Sequence, residues 1–187
     1  MRPFILAVTG ASGSIYALEF LKIMAECDVV VDAMISGAGE RVLKIELGLE
    51  YTELPHVRRW YDADDFAAPM ASGSSAYGGM AILPCSMGTL GAVAGGLSRN
   101  LLHRAADVTL KERRPLVLAV RETPLNGIHL KNMLTAHEAG AVICPAMPAF
   151  YHRPAGLNDL ARDFAARVAA LLGIEAPAMR RWEGSDV

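Results

Sequence analysis

Apolar residues gather along the chain in short continuous runs. Each run is followed by small or polar residues and then by a stretch with helical spacing. Phe4–Val8 is the first run and Thr9-Gly-Ala-Ser-Gly-Ser14 follows it; Ile15, Leu18, Leu21 and Ala25 then mark one face of a helix. Val29–Ile35 repeats the pattern and ends at Ser36, with a helix expected over Gly37–Leu47. Met80–Pro84 leads into Cys85-Ser-Met-Gly-Thr89 and a small-residue helix, Leu90–Gly96. Leu116–Val120 and Ala141–Pro145 read as two further strands, separated by a helix over His129–Glu138 that Gly140 stops. Leu157, Leu160, Ala161, Phe164, Val168, Leu171 and Leu172 form a helical stripe near the C-terminus. Runs that are apolar at every position suit strands covered on both faces. Strands alternating with helices predict a single α/β domain with a doubly wound parallel sheet. Tyr51–Ala67 reads as a polar, irregular connection.

The chain has 187 residues, enough for one domain with a sizeable core. Hydrophobic residues make up 52% of it and the mean hydropathy is +0.27, yet no apolar run is long enough to span a bilayer. A large subunit interface is the expected place for that excess. A formal net charge of −2 provides no global basic field for nucleic acid, so any anion site must be a local cluster of cations. Cys27, Cys85 and Cys144 are odd in number and no signal peptide precedes them, which predicts reduced thiols in the cytoplasm.

Candidate chemistry collects around Arg104–Leu125. Arg104 and Lys111 are two helical turns apart and share a face; Pro115 breaks the helix, and Arg121 and Glu122 follow the strand Leu116–Val120 directly. Ligands bind at the carboxyl ends of strands in open α/β sheets, so this stretch is expected to aim three cations and one carboxylate at one crevice. The loops Gly10–Ser14 and Cys85–Thr89 each join a strand to a helix N-terminus, a place for a phosphate and for close backbone approach. Two such loops suit a ligand with a phosphate and a polar ring system. The Gly- and Ser-rich segment Pro69–Gly79 is a flexible connection or a ligand loop. Cys85 reads as a buried structural thiol. Asp62-Ala-Asp-Asp65 superficially resembles a magnesium site, but loop carboxylates are common, and no metal-ligand spacing involves His129 or His137, so no metal is expected.

Blocks spread over nearly the whole chain resemble one family. They are Thr9-Gly-Ala-Ser-Gly, Pro84-Cys-Ser-Met-Gly-Thr-Leu, Asn100-Leu-Leu-His-Arg-Ala-Ala-Asp-Val and Leu110-Lys-Glu-Arg-Arg-Pro-Leu-Val-Leu, followed by Arg121-Glu-Thr-Pro-Leu, His129-Leu-Lys-Asn-Met and Pro145-Ala-Met-Pro-Ala-Phe-Tyr. In this order they resemble the flavin prenyltransferases of the UbiX type. The resemblance implies a Rossmann-like flavoprotein fold over residues 1–187 and a homo-oligomer, typically a dodecamer, with active sites shared between subunits. It further implies transfer of the dimethylallyl group of dimethylallyl monophosphate to N5 and C6 of reduced FMN, giving prenylated FMN for a UbiD-type decarboxylase.

Carried over position by position, the resemblance assigns Gly10, Ala11, Ser12, Ser36, Ser86, Met87, Gly88, Thr89 and Arg121 to FMN. It assigns Arg104, Lys111, Tyr151 and Arg167 to the prenyl phosphate, with Gly73 and Ser74 in a loop that closes on it. Glu46 and Glu122, with Ser12 and Lys111, would take part in the chemistry, and Trp182 would be an aromatic residue of the tail. Two other functions compete. A flavin-dependent cysteine decarboxylase shares the fold but uses an Asn-containing loop where this chain has Met87-Gly-Thr89. A non-catalytic FMN-carrying subunit of an aromatic acid decarboxylase would have no need of a second phosphate site.

Overall fold

The apolar runs pair side by side into one parallel sheet in the computed structural model of the protein, which describes residues 2–177 and Met179. The elements follow the chain as β1 (Phe4–Val8), α1 (Ser14–Glu26), β2 (Val31–Ile35), α2 (Gly37–Leu47), β3 (Val57–Tyr61), β4 (Met80–Cys85), α3 (Met87–Ala94), α4 (Leu101–Lys111), β5 (Leu116–Val120), α5 (Gly127–Glu138), β6 (Val142–Ile143) and α6 (Leu157–Leu171). Strand order is β3-β2-β1-β4-β5-β6, the Rossmann-like doubly wound arrangement that reverses between β1 and β4.

The alternation of each strand sorts its side chains into two cores. Leu6, Val8, Ala33, Leu83 and Val117 face the layer of α1, α2 and α6, where Phe20, Leu43 and Phe164 are buried. Ile5, Met34, Ile82 and Leu118 face the layer of α3, α4 and α5, where Leu90, Leu102 and Ala136 are buried. Both faces of the central strands are thus covered, which is why those strands read as unbroken apolar runs.

Residues 51–67 differ from the irregular connection expected of them. Val57–Tyr61 pairs with β2 as a sixth, edge strand. Its sequence, Val-Arg-Arg-Trp-Tyr, hides the strand because Arg58 and Arg59 are exposed, and an edge strand tolerates charge where a central one does not. Arg59 lies over the Tyr61 ring at 4.6 Å, and Trp60 meets Tyr51 edge-on at 4.9 Å.

The surplus apolar surface lies on the outside. The only buried side chain of α5 is that of Ala136, whereas Ile128 and Leu134 are 68% and 57% exposed. Met147 and Phe150 are exposed beyond β6. Among the described residues no helix is long and apolar enough to cross a membrane. Trp182 lies outside the described residues.

Candidate active site

Three helices begin where strands end around the switch point. Thr9, buried at the end of β1, ties the two halves together: its hydroxyl donates to the Pro84 carbonyl at 2.8 Å and accepts from the Ser86 N–H at 2.8 Å. The Ser36 N–H donates to the Val8 carbonyl at 3.0 Å, and the Arg121 N–H to the Cys85 carbonyl at 3.1 Å. The ends of β2, β1, β4 and β5 are therefore stitched in a row, bringing Gly10, Ala11, Ser12, Ser36, Ser86 and Arg121 to one rim. Neither the pattern of the chain nor the resemblance assigned a role to Thr9; a buried hydroxyl directly after an apolar run was the available signal.

Each helix start is capped differently. Ser36 caps α2 by accepting from the Gly39 N–H at 3.0 Å. Ser86 caps α3, accepting from the Thr89 N–H at 3.4 Å and donating to the Thr89 hydroxyl at 3.1 Å, which leaves Met87 and Gly88 in the first turn. Gly13 at the start of α1 is left-handed, at φ 117°, and has no capping side chain of its own. Glu46 of α2 caps α1 instead, accepting from the Gly13 N–H at 3.0 and 3.1 Å and from the Ser14 N–H at 2.7 Å. Burial pushes the Glu46 carboxyl up, but hydrogen bonds from Ser12, Ser14 and Gly13 outweigh it and hold the group below its usual range. The N-terminal amides of α1 are thus taken by the protein's own carboxylate, whereas at α2 and α3 a serine hydroxyl occupies one N–H each. Gly10 fits because a Cβ there would lie 2.5 Å from that of Ala38.

Tyr16 connects this rim to a second hollow. Burial raises its phenol, Arg121 opposes that and Glu46 adds to it, so the ring lies within electrostatic reach of both. Its other side packs against Phe164 at 4.8 Å between centroids. Phe164 lines a cavity of about 460 Å³ together with Cys144, Tyr151 and Arg167. An adjoining hollow of about 180 Å³ shares Pro145 and Met147 with it and is lined by Arg121 and Glu122. Glu122 is exposed and accepts from the Thr123 N–H at 3.0 Å; no ion pair joins it to Arg121 among the described residues.

The expected single crevice for Arg104, Lys111, Arg121 and Glu122 does not form within one chain. Lys111 ends α4 just before β5, and Arg121 follows β5, so five strand residues at about 3.3 Å each separate the two ends. Lys111 is paired with Glu112 and abuts Gly73 at the opposite, N-terminal edge of the sheet. Arg104 is paired with Asp107 at 2.7 Å and donates to the Ala71 carbonyl at 3.1 Å. Ser74 bonds the Ser72 hydroxyl at 2.9 Å. The structure thus groups Gly73, Ser74, Arg104 and Lys111 away from Tyr151 and Arg167.

The remaining candidates are local structure. Cys85 is fully buried, and desolvation pushes its thiol up to about 12. Asp62 and Asp65 each accept a hydrogen bond from a backbone N–H two residues on, at 2.8 and 3.1 Å, as turn formers. Among the described residues no three His, Cys, Asp or Glu side chains gather as a metal site would need.

Known proteins share this fold. The family described as Flavoprotein matches residues 1–162. The flavin prenyltransferase UbiX of Methanothermobacter thermautotrophicus is 46% identical over 188 residues, covering 100% of this chain and 98% of the relative. The chain belongs to the flavin prenyltransferase family of the UbiX type. The crystal structure of AnUbiX in complex with FMN and dimethylallyl pyrophosphate superimposes with a TM-score of 0.96 at 38% identity, covering 99% of each chain. A dodecameric FMN-dependent UbiX-like decarboxylase from Escherichia coli O157:H7 gives 0.94 at 36% identity, over 98% of this chain and 100% of the other. The cypemycin decarboxylase CypD gives 0.65 at 18% identity over 94% of each, a likeness of fold alone.

Two substitutions test the rim of this UbiX-type site. Thr9→Val keeps the shape but leaves the Ser86 N–H without its acceptor; urea unfolding should show a loss of about 1–3 kcal/mol. Glu46→Gln should lower the melting temperature at pH 7 by about 2–4 °C, from a cap contribution near 1 kcal/mol. Because the Glu46 carboxyl is depressed, its contribution is complete above the unfolded value of about 4.3 and is lost as pH falls through the folded value. Melts of wild type and variant should therefore converge in acid; a constant gap at every pH would contradict the assignment.

Proposed function

We propose that the protein joins the dimethylallyl group of dimethylallyl monophosphate to N5 and C6 of reduced FMN and supplies prenylated FMN to a UbiD-type decarboxylase. The observation that carries this reading is the adjacency at the strand ends. The rim that carries Ser36, Ser86 and Arg121 is joined by Tyr16, which packs against Phe164, to a cavity of about 460 Å³ lined by Arg167 and Tyr151. The residues fit FMN: with the first N–H groups of α1 taken by Glu46, the starts of α2 and α3 are left for its phosphate, behind Ser36 and Ser86–Thr89. Gly10, Ala11 and Ser12 give the flat ring backbone to lie against, and Arg121 closes the rim.

Reduced FMN supplies the electron-rich ring that is alkylated. The residues of this chain do the rest. Arg167 and Tyr151 hold the donor phosphate and stabilise charge as it leaves, an electrostatic contribution of several kcal/mol where water is excluded. Cationic side chains take the neutralising role in this reading. Glu122, beside the flavin end of the cavity, accepts the proton lost from C6. Glu46 and Ser12, hydrogen-bonded to each other at the flavin loop, serve the proton movements there.

Arg104, Lys111, Gly73 and Ser74 complete the phosphate site of a neighbouring copy. The support is the position of Lys111 and Gly73 at the opposite edge of the sheet, with Arg104 on the same helix as Lys111, and the exposed apolar residues of α5, which a homo-oligomer uses. A dodecamer built from one domain of residues 1–187 is the assembly proposed. It would act in the cytoplasm, where Cys27, Cys85 and Cys144 stay free.

Anaerobic turnover with mass analysis of the flavin tests the reading. Wild type should convert FMN to a product heavier by one dimethylallyl unit; unchanged flavin would refute the activity. Glu122→Gln should bind both substrates and slow formation of the doubly bonded product by about 10²–10⁴. Ring closure at the wild-type rate would remove Glu122 as base. Lys111→Ala and Arg167→Ala chains should each be inactive alone and regain activity when co-assembled, since mixed oligomers contain some sites with both cations. No recovery would place the two residues in the same chain's site.

A further inference from the structure

Asp32 is a carboxylate with 0% exposure in β2. Such a group is tolerated in a core only when its oxygens are paired. Arg58 provides two bonds, Nε to Oδ1 at 2.9 Å and Nη2 to Oδ2 at 2.6 Å, and the Tyr77 hydroxyl donates a third to Oδ2 at 2.6 Å. The edge of the sheet is deformed around this contact. Val31 pairs with Val57 but Asp32 pairs with Arg59, so Arg58 is the extra residue of a bulge. Bulges re-aim a side chain at the expense of regular pairing. Neither the crevice nor the proposed chemistry uses any of these three residues.

Tyr77 closes the base of the segment that carries Gly73 and Ser74. Its ring is 4% exposed and packs in the core with Met34, Met70 and Met80, while its hydroxyl is tethered to Asp32. Burial first, and the Asp32 carboxylate second, raise the phenol, so the group stays a donor. The next residue, Gly78, donates its N–H to the Pro3 carbonyl at 2.8 Å. At the other end, Arg114 donates to the Gly73 carbonyl at 2.7 Å and Arg104 to the Ala71 carbonyl at 3.1 Å. The segment is pinned at both ends, and Gly73 lies directly beside the Lys111–Glu112 pair.

We propose that Asp32, acting through Tyr77, positions the Gly73–Ser74 segment against Lys111 and so sets the affinity for the prenyl donor. The inference rests on the reading that this segment serves the donor phosphate. Asp32 and Tyr77 are positioning residues, since neither touches the reacting groups. A tyrosine packed along its ring and tethered at its tip fixes the chain direction at residue 77, five residues before the middle of β4 and three after Ser74.

The experiment compares full-length Tyr77→Phe with Val57→Ala, which weakens the same sheet edge without touching the tether. Tyr77→Phe should raise KM for dimethylallyl monophosphate about tenfold, as loss of a hydrogen bond to a charged group does, with kcat and the FMN Kd within about twofold of wild type. Val57→Ala should lower the melting temperature and leave that KM within about twofold. Hydrogen exchange supplies a readout independent of turnover. The Tyr77 and Gly78 amides should be strongly protected in wild type and in Val57→Ala, and should lose protection in Tyr77→Phe. An unchanged KM in Tyr77→Phe, an equal rise in Val57→Ala, a parallel rise in FMN Kd, or unprotected wild-type amides would each overturn the proposal. If wild type binds FMN but does not use the donor, the functional reading fails while the exchange pattern still decides the tether.

Discussion

The Thr9 clasp is the interaction on which the site depends. A parallel sheet that reverses its order between β1 and β4 leaves a gap between the loops that follow those strands. One buried hydroxyl, bonded at 2.8 Å to both Pro84 and Ser86, closes the base of that gap. The starts of α1, α2 and α3 then converge above it. A helix start presents unpaired N–H groups and a partial positive charge, so three of them side by side would repel one another unless an anion intervened. Glu46 provides one such anion at α1, while Ser36 and Ser86 each cap a single N–H at the starts of α2 and α3.

The two ends of the sheet carry different chemistry. At the carboxyl ends lie the small-residue loops, Tyr16, Arg121, Glu122 and the cavity of Arg167 and Tyr151. At the amino ends lie Lys111 and the pinned segment through Gly73, with Arg104 two turns back along α4. Parallel strands enforce the separation, since every residue just before a strand lies a full strand length from every residue just after it. A site that needs both groups has to be assembled from more than one chain, and the exposed apolar side chains of α5 offer surface on which chains can associate.

The Asp32 network shows how the edge of the sheet is put to use. An apolar residue at that position would have been the simpler core solution. The carboxylate instead couples an edge strand, through Arg58, to a loop that begins far away in sequence, through Tyr77. Bulge, buried charge and tethered phenol occur together: Arg58, the extra residue of the bulge, pairs the Asp32 charge, and the carboxylate in turn holds the Tyr77 phenol.

Among the described residues, five of the six strands and each of the six α-helices left a trace in the chain, because burial on one or both faces imposes an apolar run or a helical stripe that survives in the residue order. The small-residue loops after Val8 and Pro84, and the charged pair after Val120, were legible for the same local reason: they sit where a buried run stops. The edge strand Val57–Tyr61 was not, since one open edge and two exposed arginines erase the apolar signature. Nothing in the residue order marks Glu46 as the cap of α1, because its partners, the Gly13 and Ser14 amides, are more than thirty positions away. Arg104, Lys111, Arg121 and Glu122 read as one cluster because they are close in sequence, but the length of β5 places Lys111 at the opposite end of the sheet from Arg121 and Glu122. Local burial is written residue by residue and the sequence alone determines it; which distant groups meet depends on strand order and direction, and only the tertiary structure decides that.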